Sequence, residues 1–176
     1  MAIVKGLIEK MGGTIEVKSE EGIGSTFILR IPFKLAPAPD TVKKTAAQMD
    51  ISGLNLLLVE DNELNAEIAK TLLSDEGANL TVAEDGLQAV RMFQEKPEGY
   101  FDAILMDIMM PVMDGLTATK TIRSLKHPDA ETIPIIAMTA NAFQEDAEKC
   151  IAVGMNAHLA KPLDIEKVKM TIYKYI

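Results

Sequence analysis

Hydrophobic and polar positions fall into two regimes along the chain. In the first 33 residues, Ile3, Val4, Leu7, Ile8 and Met11 recur at helical spacing, and Gly12-Gly13 can stop that helix. "TIEVKS" then alternates, "EGIG" signals a turn, and "STFILRIPF" alternates again through Phe27, Leu29 and Ile31. The pattern predicts a helix followed by a β-hairpin. A unit this small buries little by itself, since chains below about 40 residues usually need help to fold. Residues 34–52, "KLAPAPDTVKKTAAQMDIS", change composition to proline, alanine and polar residues, which predicts a linker.

From residue 53 onward, short apolar runs alternate with amphipathic stretches. "LNLLLV" precedes a helix with Leu64, Ile68 and Leu72 on one face. "NLTVAE" precedes one with Leu87, Val90 and Phe93, and "DAILM" precedes one from about Gly115. "IPIIAM" precedes a helix from about Gln144 to Val153, and "AHLA" a last one with Ile165, Val168, Ile172 and Ile176. Five strand–helix units in succession predict an α/β fold, a mainly parallel sheet with helices on both faces. The strands are apolar without interruption because both faces are covered.

Composition narrows the possibilities. Hydrophobic residues make up 48% of the 176, enough for a globular core. A formal net charge of −8 argues against a general nucleic-acid or anionic-membrane surface. One cysteine, Cys150, allows no intrachain disulfide and fits a reducing compartment. No apolar run approaches the roughly 18–20 residues of a membrane helix, and the start does not read as a secretory signal.

The polar residues that interrupt the apolar runs lie at corresponding places. The first run ends at Glu60-Asp61, the third at Asp107, the fourth at Thr139 and the fifth at Lys161-Pro162. In a parallel sheet these carboxyl ends share one edge, and ligands bind there where the strand order reverses. Two unit charges ~5 Å apart repel by roughly 3 kcal/mol at an effective dielectric of about 20. A hard divalent cation relieves that cost, and oxygen-only ligands suit Mg²⁺, which also bridges to phosphate. One carboxylate can then attack phosphorus, as in aspartyl-phosphate enzymes. Asp107, alone at the end of a central run, is the candidate nucleophile. Glu60 and Asp61 are the candidate metal ligands, and Lys161 and Thr139 would neutralise phosphoryl oxygens.

Several residues have simpler readings. Asp114, before Gly115, is assigned to a turn and helix cap. Met106, Met109, Met110 and Met113 read as packing rather than a soft-metal site, Cys150 as a packed small residue and His127 as a loop residue. His158 precedes Lys161 by three residues at the same sheet edge, and a structural or surface role weighs against a functional one.

"LLLVEDN", "ILMDIMMPVMDG", "IIAMTAN" and "HLAKP" resemble, in order, the motifs of response-regulator receiver domains, over about Leu54 to Ile176. The resemblance implies a flavodoxin-like (βα)5 doubly wound sheet with strand order 2-1-3-4-5. It implies that Asp107 accepts a phosphoryl group from a phosphohistidine. Mg²⁺ would be held by Glu60, Asp61, Asp107 and the backbone carbonyl of Met109, with Thr139 and Lys161 on the phosphoryl oxygens. Ala140 leaves room for that group, and Lys161–Pro162 matches the family's cis peptide bond. In many receivers an aromatic ring at the position of His158 follows the threonine inward as a switch. Here the ring is imidazole, a departure that adds pH sensitivity.

Residues 1–33 resemble the last helix and closing hairpin of a histidine-kinase ATP-binding (HATPase) domain, with "GIGSTF" similar to its final glycine-rich box. The other ATP-site boxes and a phosphorylatable kinase histidine are not in this sequence, so the fragment is expected neither to bind ATP productively nor to autophosphorylate. It would promote only its own aspartyl phosphorylation and dephosphorylation. The expected organisation is a kinase-domain tail at 1–33, a linker at 34–52 and a receiver at 53–176, cut from a hybrid sensor histidine kinase. The expected partner is the phosphohistidine of a kinase dimerisation domain or of a histidine phosphotransfer domain. The setting is cytoplasmic, the parent being anchored to a membrane, if at all, through other segments. Two rivals differ in class. An aspartate-nucleophile phosphohydrolase usually has a second acid two residues after the nucleophile, where this chain has Met109. A binding-only pseudo-receiver would not need the full set of acids, Thr139 and Lys161.

Overall fold

A computed structural model describes residues 2–20, 22, 24–32, 49–140 and 144–176, with the side chains of 2, 3 and 144–147 left aside. The predicted linker lies outside the described residues from 34 to 48, as do residues 21 and 23 of the predicted turn. The chain divides into two compact units, Met1–Asp40 and Thr41–Ile176.

In the first unit, α1 (Ala2–Lys10) precedes an antiparallel hairpin of β1 (Thr14–Glu20) and β2 (Gly24–Arg30), with Thr14 opposite Arg30 and Glu20 opposite Gly24. Gly12 takes a left-handed φ of 73°, and a side chain on Gly13 would collide with the carbonyl of Arg30 at 2.5 Å. The glycine pair therefore ends the helix and lets the backbones cross. Ile8 is buried, whereas Val4, Leu7, Met11, Val17, Phe27 and Leu29 are exposed.

The second unit is a five-stranded sheet: β3 (Asn55–Val59), β4 (Asn79–Ala83), β5 (Ala103–Asp107), β6 (Ile135–Thr139) and β7 (Ala157–Ala160). The strands lie in the order β4-β3-β5-β6-β7, every neighbouring pair parallel. Counted from β3, this is the expected 2-1-3-4-5. The helices are α2 (Glu63–Asp75), α3 (Gly86–Glu95), α4 (Gly115–Ser124), α5 (Gln144–Ala152) and α6 (Ile165–Tyr175).

Alternation along each strand divides the core. Leu57, Val59, Ile104, Met106, Ile135 and Ala137 pack with Val90 and Phe93 of α3, Ala118 and Ile122 of α4 and Cys150 of α5. Leu56, Leu58, Leu105, Ile136 and Met138 pack with Ala69 and Leu73 of α2 and Val168 and Ile172 of α6. Two-sided burial explains the unbroken apolar runs. Ile51 is also fully buried in this second cluster, so packing starts within the stretch assigned by composition to the linker.

One helix faces the opposite way from its most conspicuous pattern. Leu64, Ile68 and Leu72 of α2 are 68%, 51% and 37% exposed, and the buried face is Ala66, Ala69 and Leu73. The small alanines allow α2 close to the sheet, and the larger stripe is left outside. Among the described residues no helix is long and apolar enough to cross a membrane.

Candidate functional site

The carboxyl ends of β3 and β5 meet where the strand order reverses. Asp107 closes β5 and Glu60 follows β3 directly; both are buried, at 6% and 4% exposure, while Asp61 beside them is exposed. One oxygen from each of Glu60, Asp61 and Asp107 lies within 4.8 Å of the others. The donors are all carboxylates and the set is open to solvent through Asp61, which fits a hard divalent cation.

Lys161, just beyond β7, spans the pair. Its Nζ donates to Glu60 Oε2 at 2.5 Å and to Asp107 Oδ2 at 2.6 Å. Burial pulls the ammonium pKa down, but the hydrogen bonds and charges of Asp107 and Glu60 outweigh it, and the net shift is upward. The other oxygens are also held. Asp107 Oδ1 accepts from the backbone N–H of Met109 at 3.2 Å, and Glu60 Oε1 accepts from Asn65 Nδ2 at 3.0 Å. Thr139, buried at the end of β6, accepts the Lys161 backbone N–H at 2.7 Å through its carbonyl, and Lys161–Pro162 is cis.

The loop after Asp107 is fixed by close backbone approaches. Gly115 N–H donates to the Ile108 carbonyl at 3.0 Å, and Gly86 N–H to that of Met113 at 3.1 Å. A side chain on Gly115 would meet the Asp107 carbonyl oxygen at 2.0 Å. Val112 accepts a φ of 65°, unusual for a β-branched residue. Within this loop Met109 and Val112 are about four-fifths exposed, at 79% and 80%. Asp114 caps α4, accepting Thr117 N–H at 2.8 Å and its hydroxyl at 3.0 Å, the role expected of it.

Glu60, Asp61, Asp107 and Lys161 thus converge, with Thr139 on the adjoining strand end. His158 is apart from them. It is exposed on β7 and lines an open groove with Glu148, Ile151 and Tyr175. Sequence reasoning missed Asn65, whose signal is its place one turn into α2. It also missed Arg123, which donates from Nε to Gly154 O at 2.9 Å and from its two terminal nitrogens to Ala130 O and Ile133 O at 2.8 Å. A further bond joins Arg123 to Asn156 Oδ1 at 3.1 Å.

The chain belongs to the response regulator receiver domain family, whose model matches residues 56–173. It carries a receiver of two-component phosphorelay signal transduction, on the flavodoxin-like fold. The aerobic respiration control sensor protein ArcB of Escherichia coli (strain K12) is 36% identical over 177 aligned positions, covering 99% of this chain and 22% of that protein. The receiver domain of sensor histidine kinase PA1611 from Pseudomonas aeruginosa PAO1, solved with a magnesium ion in its active-site cleft, is 40% identical with a TM-score of 0.63. That likeness covers 70% of this chain and 98% of that one. A co-crystal structure of the Saccharomyces cerevisiae histidine phosphotransfer protein Ypd1 with the receiver of Ssk1 matches at 28% identity and TM-score 0.61, over 71% of this chain and 90% of that one. The chain spans 16% and 22% of the lengths of two of the curated relatives it matches.

Proposed function

We propose that Asp107 is the phosphoacceptor, taking a phosphoryl group from a phosphohistidine. The observation that carries this reading is the Lys161 bridge between Asp107 and Glu60, which gathers a nucleophile, a cation-binding acid and a phosphoryl-neutralising ammonium in one crevice. An Asp107 carboxylate oxygen forms the new P–O bond as the P–N bond breaks, and the electron pair returns to the imidazole nitrogen. Met109 N–H, on Oδ1, orients the carboxylate for this attack. Lys161 exchanges its carboxylate partner for a phosphoryl oxygen, and the Thr139 hydroxyl turns to another. Glu60, Asp61, Asp107 and the Met109 carbonyl would hold Mg²⁺, which supplies charge neutralisation of the phosphoryl oxygens. His158 would report the state of the site as the ring following Thr139.

The donor is the phosphohistidine of a kinase dimerisation domain or of a histidine phosphotransfer domain. The exposed Leu64-Ile68-Leu72 stripe on α2 and the exposed Met109 and Val112 support protein docking around the crevice. Residues 1–33 are the tail of a kinase ATP-binding domain, 34–52 a linker and 53–176 the receiver of a hybrid sensor kinase acting in the cytoplasm. The helix and hairpin of the first unit, and an alignment with ArcB that runs over the whole chain, support this organisation.

Acetyl phosphate with Mg²⁺ should add one phosphoryl group to the chain and none to Asp107→Asn. Equal labelling of that variant overturns the assignment, steady turnover of a generic phosphate ester favours a phosphohydrolase, and no labelling of the unmodified protein favours a binding-only domain.

A further inference from the structure

Asn62 caps α2, accepting the backbone N–H of Asn65 at 3.0 Å. Asn65 therefore occupies the third helical position. In a capping box that position holds Glu or Gln, whose side chain reaches back to the cap's own N–H. Asparagine is too short for that reciprocal bond and is a poor helix former. Its amide goes elsewhere: Nδ2 donates to Glu60 Oε1 at 3.0 Å.

The two oxygens of Glu60 consequently have different partners, a neutral amide on Oε1 and the Lys161 ammonium on Oε2. The difference matters because the ammonium is shared with Asp107. On the function proposed above, Lys161 is drawn to the phosphoryl group once Asp107 carries it. The Asn65 bond does not depend on that event. An amide also orients the carboxylate without bringing a positive charge to it, unlike the ammonium.

We infer that Asn65 is a positioning residue for Glu60, holding the acid in its cation-binding orientation whether or not Lys161 is engaged with it. Without Asn65, the hydrogen-bond partner left to the Glu60 side chain among the described residues is Lys161, and the acid is pulled toward the ammonium that competes with a cation. This rests on the reading of Glu60 as a metal ligand.

The test compares Asn65→Ala and Asn65→Gln with the unmodified chain by calorimetric Mg²⁺ titration, urea unfolding in chelator, and acetyl phosphate labelling across Mg²⁺ concentrations. Outer partners of metal ligands typically change affinity ~10–100-fold, and an exposed neutral amide belongs at the lower end. Asn65→Ala should weaken Mg²⁺ binding about tenfold and move the labelling midpoint equally, with labelling restored at high Mg²⁺. Asn65→Gln, which keeps the amide, should recover part of the affinity. The loss of Mg²⁺ affinity should not track any change in urea unfolding in chelator, where better helix propensity and the lost bond act in opposite directions, and that separates positioning from a structural role. If the unmodified chain binds Mg²⁺ and takes label while Asn65→Ala matches it, this inference alone fails. If the unmodified chain does neither, the proposed function fails and takes this inference with it.

Discussion

Lys161 Nζ stands 2.6 Å from Asp107 Oδ2, although 54 residues separate them in the chain. The same ammonium holds Glu60 at 2.5 Å from 101 residues away. One cation answers two buried acids, with Asp61 close by. Charge balance across this crevice governs both stability and chemistry.

Removing the cation should expose the imbalance. Breaking a fully buried ion pair costs about 3–5 kcal/mol; the Lys161 side chain is 21% exposed, and solvent screening lowers the figure. Lys161→Met should lose about 2 kcal/mol in chelator, regain part of it with Mg²⁺, and bind Mg²⁺ more tightly because the competing ammonium is gone. Urea midpoints with and without Mg²⁺ measure this. Equal losses under both conditions would contradict it.

Removing one acid should have the opposite sign. Asp107→Asn keeps the shape of the site and lowers its negative charge, so it should be about 1 kcal/mol more stable than the parent in chelator at low salt. The gain should shrink as salt screens the remaining charges. A thermal melt with equal or lower midpoint tells against it.

The Lys161 ammonium also fixes a pH dependence. Its folded pKa is raised, so its stabilising contribution is complete below the unfolded lysine value of about 10.4 and is lost as pH climbs through the folded value. In chelator, the stability gap between the parent and Lys161→Met should therefore stay constant from neutral pH to about pH 10 and narrow above it. A gap that widens with pH would show the coupling to be of the other sign.

Gly115 is fixed by space rather than by backbone conformation. A Cβ there meets the Asp107 carbonyl oxygen at 2.0 Å and Met106 Cγ at 2.9 Å. Gly115→Ala should cost at least ~3 kcal/mol, the upper end for overpacking, and should reduce labelling of Asp107 in the molecules that remain folded. Unchanged urea unfolding would refute the close approach.

Arg123 ties the end of α4 to carbonyls at 130, 133 and 154 and to Asn156, and burial lowers its pKa without a carboxylate among these partners. Arg123→Met should cost roughly 3 kcal/mol, about the scale of losing hydrogen bonds to a charged group. Arg123→Lys should rescue little, because one ammonium cannot span the same acceptors. Full rescue by lysine would mean charge alone matters there.

How far these features can be read from residues depends on their physics. The strands of the second unit were legible because two-sided burial demands uninterrupted apolar side chains. The acids and Lys161 were legible as a set, because polar residues end four of the five apolar runs at the same edge of a parallel sheet. The orientation of α2 was not, since periodicity shows a stripe but not which side meets the sheet. There the alanines pack inward and Leu64, Ile68 and Leu72 do not. Ile51 was masked by its polar neighbours, and its burial follows from tertiary packing. Arg123 left no trace because its partners are mostly main-chain carbonyls, which every residue carries.

The span from Glu60 to Lys161 has a consequence for synthesis in the cell. The acids leave the ribosome first, and the lysine that balances them follows 54 residues after Asp107 and 101 residues after Glu60. At ordinary elongation rates of ~5–20 residues per second, the longer span is a delay of roughly 5–20 seconds. During it a nascent chain carries the carboxylates without their ammonium and with β7 unmade. On the function proposed above, a truncated or stalled product therefore carries Asp107 without its ammonium, and the crevice is complete only once the last strand and Lys161 have been made.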